Sequence, residues 1–179
     1  MSAVSEITLD LIKTEIRNVP DFPRKGIQFK DITTVLKQPE LFSFIVDELT
    51  KKYTDRGITK VVCIESRGFI LGGAIANRLG AGFVPVRKPG KLPAEVIAVE
   101  YDLEYGTDSI EIHKDGVVSQ DVILLHDDLL ATGGTARAAT ELLNSFDPKK
   151  IYMSFLCELD FLKGRENLKG YEITSLIHF

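Results

Sequence analysis

The sequence predicts an α/β domain organised on an open, mostly parallel twisted sheet flanked by helices, and three observations carry that prediction. Residues 60–79 and 122–146 each read as a short apolar strand, a polar turn and a helix. A further apolar run over 150–158 supplies another buried strand. At 179 residues the chain suits one domain with a full core, 1–179.

Composition excludes several classes before any motif is considered. Apolar residues make up 44% and charged residues 27%, ordinary values for a globular chain. A net charge of −4 and a pI near 5.4 argue against a nucleic-acid binder driven by phosphate attraction. No apolar run approaches a membrane span, and the N-terminus lacks a basic region followed by an apolar one, so a cytoplasmic protein without a membrane partner is expected. Cys63 and Cys157 lie far apart in strand-like runs and are expected as buried thiols.

Taken in order, Val4, Ile7, Leu11 and Ile12 fall at helical spacing and predict an amphipathic first helix. Pro20 and Pro23 then exclude a helix interior and open a loop over 18–33 that mixes apolar side chains with cations. A phenylalanine there, Phe22 or Phe29, either stacks on a base or anchors the loop to the core. Pro39 begins a helix to about residue 52, with Leu41, Phe42, Ile45, Val46 and Leu49 on one face.

The strand at 60–64 is followed by the turn Glu65-Ser66-Arg67-Gly68 and a small-residue helix over 69–79. Arg67 stands where an open sheet has its ligand crevice, although a single arginine in a turn is more often a surface charge. The next strand, 82–86, runs into Arg87-Lys88-Pro89-Gly90-Lys91-Leu92-Pro93. Three cations within five positions, stiffened by proline, reverse the sign of an acidic chain and suit a polyanion; a solvated charge run is the plainer alternative. Over 94–114, strand-like pieces at 96–101 and 109–114 flank Asp102-Leu103-Glu104-Tyr105-Gly106, a hairpin tip able to close over a substrate as a lid.

Most of the chemistry is concentrated in 122–139. A strand over 122–125 is expected to end at Asp127 and Asp128, followed by Ala131-Thr132-Gly133-Gly134-Thr135 and an Ala-rich helix from about 135 to 146. Main-chain N–H groups and a helix N-terminus make an anion site, and carboxylates accept hydrogen bonds from sugar hydroxyls, so a phosphorylated sugar fits the pattern. The spacing matches neither G-x-x-x-x-G-K-[ST] nor G-x-G-x-x-G. The strand at 150–158 is expected to close the parallel set, with a short helical or turn piece over 161–168 and a final strand over 172–178. His113 and His178 read as incidental, and His126 has no second His or Cys at metal-ligand spacing.

The stretch from Asp127 to Thr135 resembles the PRPP-binding signature of type I phosphoribosyltransferases, PRPP being 5-phosphoribosyl-1-diphosphate. Four further stretches resemble the adenine-specific branch of that family: Pro20-Asp21-Phe22-Pro23 through Phe29-Lys30-Asp31-Ile32, Glu65-Ser66-Arg67-Gly68-Phe69, Arg87 to Pro93, and Leu162-Lys163-Gly164-Arg165-Glu166. The resemblance implies the type I phosphoribosyltransferase fold, with a base-binding hood over 1–35 and a flexible hairpin lid over 94–114. It implies purine salvage, adenine plus PRPP giving AMP and pyrophosphate, in a homodimer, with Mg²⁺ carried by PRPP and no metal ligand from the protein.

By motif position, Ala131, Thr132, Gly133, Gly134 and Thr135 would bind the 5′-phosphate, and Asp127 and Asp128 the ribose hydroxyls. Arg67, Arg87, Lys88 and Lys91 would serve PRPP and pyrophosphate, Arg87 reaching a neighbouring subunit's site. The base would lie between Phe29 and Leu159, beside Ile27, and be read by main-chain groups of Gln28 and Lys30. Glu104 would handle the adenine proton and Tyr105 would close over pyrophosphate. His126 and Lys30 depart from the pattern, replacing an aliphatic residue and a frequent arginine. Two other readings compete: the same fold acting on xanthine, hypoxanthine or orotate, and a non-catalytic PRPP-sensing regulator.

Overall fold

The computed structural model describes residues 6–102 and 107–179. Its chain divides into two compact units, one ending at Glu48 and the other beginning at Leu49. In the first, helix α1 (Leu9–Glu15) starts at Thr8, whose hydroxyl accepts the Leu11 N–H and satisfies one of the orphan donors of the first turn. Strand β1 (Arg17–Pro20) then pairs antiparallel with β2 (Gln28–Asp31), and α2 (Thr33–Leu36) follows.

The ribbon corrects the expectation of a loop over 18–33. Neither proline interrupts the ladder: Pro20 occupies its last position, opposite Gln28, and Pro23 lies in the connection. Asp31 locks the ribbon to α2 by accepting from the Thr33 N–H and hydroxyl at 3.0 and 2.7 Å while pairing with Arg17 at 2.5 Å. The hydrogen bonds from Thr33, then those from Arg17, lower its pKa to about 2.

Helix α3 (Pro39–Lys51) runs across the division between the units, burying Leu41, Ile45, Val46 and Leu49 as their spacing predicts. The second unit carries a five-stranded sheet in the order β4-β3-β7-β8-β9, every neighbour parallel. Its strands are β3 (Lys60–Ile64), β4 (Gly82–Val86), β7 (Val122–Leu130), β8 (Lys150–Glu158) and β9 (Glu172–His178). The last strand is therefore parallel too, and 150–158 does not close the set as expected. Two 3₁₀ turns, Asp160–Leu162 and Gly164–Leu168, bring the chain back to start β9 beside β8 in the same direction. Strands β5 (Val96–Asp102) and β6 (Thr107–His113) form the expected antiparallel hairpin.

Alternation along the strands sorts the two faces. Val62, Ile64, Ile123, Leu125, Met153 and Phe155 enter one core cluster with Ala138, Ala139, Leu142 and Leu143 of helix α5 (Gly134–Asn144). Their alternates include Cys63, which faces helix α4 (Gly68–Leu79) so closely that a Cβ on Gly72 would collide with its sulfur. Gly80 ends α4 at φ 65°, its N–H returning to Ala76 and Asn77 carbonyls. Neither Cys63 nor Cys157 is in a disulfide, and both are buried.

Replacing Gly72 by alanine should therefore destabilise the protein by ~1–3 kcal/mol through overpacking. Cys63→Ala in the same chain should restore part of that loss, measurable as a positive coupling in a denaturation double-mutant cycle; additive losses would mean that the two residues do not press on each other.

Candidate active site

Strand β7 outruns its neighbour. Its pairing with β3 ends at Cys63↔His126, but pairing with β8 continues through Asp127↔Phe155 to Leu130↔Glu158. The expected strand end at Asp127 and Asp128 is corrected: β8 keeps supplying a ladder partner as far as Leu130, so both acids stand within regular strand. The notch opens at the sheet's switch point, because β3–α4–β4 builds toward one edge while β7 lies on the other side of β3.

A cavity of about 390 Å³ fills this notch. The turn after β3 contributes Glu65, Ser66 and Arg67, the end of β4 leads to Lys88, and the hairpin adds Tyr101, Asp108 and Ile110. Asp127, Asp128 and Thr135 complete the polar lining. Of the residues expected from the sequence, Arg67, Lys88, Asp127, Asp128 and Thr135 meet at this one pocket; Glu65, Tyr101 and Asp108 line it too and were not singled out.

The acids form a tense pair. Asp127 Oδ1 accepts the Asp128 N–H at 2.8 Å, and Arg67 Nε lies 2.9 Å from Asp128 Oδ2. Burial pushes the pKa of Asp127 well up, and the Asp128 charge adds to it; burial also raises Asp128, with Arg67 pulling back. Groups so disposed gain from hydrogen-bond donors or positive charge placed against them.

Beyond the acids, Gly133 adopts φ 82° and α5 begins at Gly134 with no side-chain cap. The first-turn N–H groups have no acceptor inside the helix, and with the helix dipole they favour negative charge placed before them. Carboxylates and main-chain donors therefore stand at two ends of one strand-to-helix connection.

Opposite them, the basic loop is held by acids. Glu65 accepts from Arg87 Nε at 3.0 Å, the Lys88 N–H at 3.0 Å and Lys91 Nζ at 2.6 Å. Burial works to raise the Glu65 pKa, but these donors outweigh it and bring it to about 2. Lys88 pairs with Asp108, which also accepts from the Tyr101 hydroxyl at 3.2 Å, and the Gly90 N–H donates to Glu111. Glu65 was within reach of sequence reasoning, since the argument that selects Arg67 at the end of a strand selects its neighbour; Asp108 carried no local signal.

The remaining predicted residues are distributed as follows. Ile27 and Gln28 are exposed, and Gln28 Oε1 accepts from Asn18 at 2.6 Å. Phe29 is half-buried and meets Phe22 edge-on at 5.1 Å; Lys30 is half-buried. In the second unit Leu159 is buried, its N–H bonded to Leu130 O at 2.9 Å. Glu104 and Tyr105 lie outside the described residues.

His126 is fully buried, with Nδ1 2.7 Å from Ser154 Oγ. Burial lowers its pKa to about 4, leaving a neutral ring at physiological pH. Among the described residues, Glu158, Asp160 and His178 lie close enough together to hold an ion, but Glu158 is already engaged by Arg165 at 2.7 Å.

A sheet with its switch-point notch, a glycine loop opening onto a helix, and an acid pair define a phosphoribosyl transferase domain, and that family matches residues 32–175. The adenine phosphoribosyltransferase of Phocaeicola vulgatus is 57% identical over 88% of this chain and 90% of its own. The crystal structure of adenine phosphoribosyltransferase from Thermoanaerobacter pseudethanolicus superposes with a TM-score of 0.92 at 53% identity, covering 96% of this chain and all of that one. That of APRTase from Giardia lamblia complexed with 9-deazaadenine gives 0.93 at 46%, covering 97% and 99%. The chain belongs to the adenine phosphoribosyltransferases.

Two outcomes follow. Glu65→Gln should cost roughly 1 kcal/mol of stability at pH 7, given half-exposed cation partners. Because the folded pKa is depressed, that difference from wild type is present above about pH 4.5 and should vanish as pH falls through about 2. For His126 the unfolded chain takes up the proton first, so wild type should lose up to about 3 kcal/mol between pH 6.5 and 4. His126→Val should lack that slope and leave the KM for PRPP nearly unchanged; a shifted KM would give this ring a part in binding.

Proposed function

We propose that this chain transfers the 5-phosphoribosyl group of PRPP to adenine, releasing AMP and pyrophosphate in purine salvage. The observation that carries the reading is the cavity at the switch point, where the acid pair and Thr135 face Arg67 and Lys88. A ribose 5-phosphate needs acceptors for its hydroxyls and donors for its phosphate, and the Asp127–Thr135 connection offers both in that order. The diphosphate at the anomeric carbon is then directed to Arg67, Lys88 and Lys91, with Arg87 serving the neighbouring subunit's site.

The anomeric C–O bond breaks as the bond from the adenine ring nitrogen forms, and diphosphate leaves with the electron pair. Positive charge gathers on the ribose, next to two carboxylates whose environment favours positive charge. The cations stabilise the departing polyanion. Mg²⁺ would be carried on the diphosphate of PRPP with no direct ligand from the protein, and the buried carboxylates of Asp127 and Asp128, which gain from added positive charge, suit a ligand that arrives with it. When bound, Mg²⁺ neutralises part of the diphosphate charge. Glu104 accepts the adenine ring proton, and Tyr105 shields the pyrophosphate from water.

For the base, Gln28 and Lys30 stand two apart on β2 and so direct their main-chain groups to one strand edge. A carbonyl beside an N–H complements the amino group and ring nitrogen of adenine, whereas a 6-oxopurine would set acceptor against acceptor, at ~1–3 kcal/mol per unpaired buried group. Ile27 and Phe29, exposed and half-buried on this ribbon, are assigned to the base's apolar surroundings. Yeast adenine phosphoribosyltransferase, 38% identical, has been crystallised with adenine.

The protein acts as a homodimer in the cytoplasm on this reading. Edge strand β4 exposes Phe83, which meets Phe69 of α4 edge-on at 5.6 Å, and α4 also exposes Ile70, apolar surface that a second copy would cover; Arg87 lies over the Phe69 ring. Among the described residues, no helix is long and apolar enough to cross a membrane.

Labelled adenine supplied with PRPP and Mg²⁺ should yield AMP, with xanthine, hypoxanthine and orotate converted at least tenfold less efficiently; well-folded protein that forms no AMP would sink the assignment. Glu104→Gln should lower kcat by about 10²-fold and flatten the acid limb of the pH profile, and an unchanged profile would remove Glu104 from proton transfer.

A further inference from the structure

The phosphate loop has its carbonyls engaged from behind. Leu130 O accepts the Leu159 N–H at 2.9 Å, Thr132 O accepts Asn167 Nδ2 at 2.7 Å, and Gly133 O accepts the Arg137 N–H at 2.9 Å. Between them, Ala131 O lies directly against Gly164: a Cβ on Gly164 would collide with that oxygen, and one on Gly133 would come within 2.5 Å of Gly164 O. Gly133 is required by the backbone of Gly164, and Gly164 by the carbonyl of Ala131.

This contact sets direction as well as distance. In a trans peptide the N–H points opposite to the carbonyl of the same unit. Carbonyls of Leu130, Ala131 and Thr132 turned toward the segment 159–167 therefore turn the N–H groups of Ala131, Thr132 and Gly133 the other way. Those are the donors that a phosphate needs, and none of them can rotate without breaking a bond or striking Gly164.

The segment behind the loop is itself fixed. Arg165 makes a two-pronged bond to Glu158, Nε to Oε1 and Nη2 to Oε2, both at 2.7 Å, and Nη1 reaches Ile173 O at 3.2 Å. Gly164 and Leu168 are buried. Asn167, although exposed, spends its amide donor on the loop.

We infer that the segment 159–168 is the positioning element of the 5′-phosphate site, and that Asn167 sets phosphate affinity by holding Thr132 O, and with it the Gly133 N–H, in place. Asn167 is a positioning residue and does not touch substrate. The inference rests on reading 131–135 as the phosphate loop.

Calorimetric titration of wild type, Asn167→Ala and the isosteric Asn167→Leu with AMP and with adenosine separates the possibilities. Loss of the bond should weaken AMP binding about five- to tenfold in both variants, leave adenosine binding within about twofold, and raise the KM for PRPP with kcat nearly unchanged. AMP affinity equal to wild type in either folded variant would overturn the inference, as would equal losses for AMP and adenosine, the mark of a general structural defect. Wild-type protein that binds AMP no better than adenosine would instead overturn the phosphate-loop reading, and the inference with it.

Discussion

The site depends on one mismatch of strand lengths. Because β7 keeps its hydrogen-bonding partner on the β8 side after losing β3, its last residues are held as regular strand while one flank stands open. A carboxylate on a free loop would relax into water; on an anchored strand beside a buried core it cannot. The raised proton affinity of Asp127 and Asp128 is thus a product of sheet topology. The same overhang fixes where the glycine loop begins and, through the Leu159–Leu130 bond, where the chain leaving β8 must pass.

Charge is sorted along the resulting pocket. Asp127 and Asp128 stand on β7, Arg67 stands on the turn after β3, and the cations of the loop after β4 are held by Glu65 and Asp108; Arg67 bridges the two sides by pairing with Asp128. On the proposed reaction the two sets of groups answer opposite demands: charge that becomes positive on a sugar ring and charge that becomes more negative on a leaving group.

Much of this was legible from residue order. The strand-turn-helix units, α3, the hairpin and the place of Asp127, Asp128 and Thr135 follow from periodicity and from the rule that ligands meet the carboxyl ends of parallel strands, while Arg67 and Lys88 were assigned to the site by family resemblance. Misreadings arose where partner strands decide the outcome. Acidic residues at 127 and 128 look like a strand end until β8 is known to continue beside them, and Pro20 looks like a breaker until β1 is seen to stop there. Glu158, Asp108 and Gly164 were hidden for another reason: each acts through a partner distant in sequence, and nothing adjacent to them announces it. The ribbon at 17–31 could be placed in its own unit, with its base-reading role carried by family resemblance.

The carboxylate of Glu65 has a consequence for selectivity in a crowded cell. Arg87, Lys88 and Lys91 would, as bare cations, project a field that gathers any passing polyanion, nucleic acid included. With Glu65, Asp108 and Glu111 already bonded to the loop, that field is largely cancelled a few ångströms out. The loop thereby rewards a ligand that fits its donors at close range and gives little to one that is merely negative. An acidic protein keeps a polyanion pocket in this way without becoming a general polyanion trap.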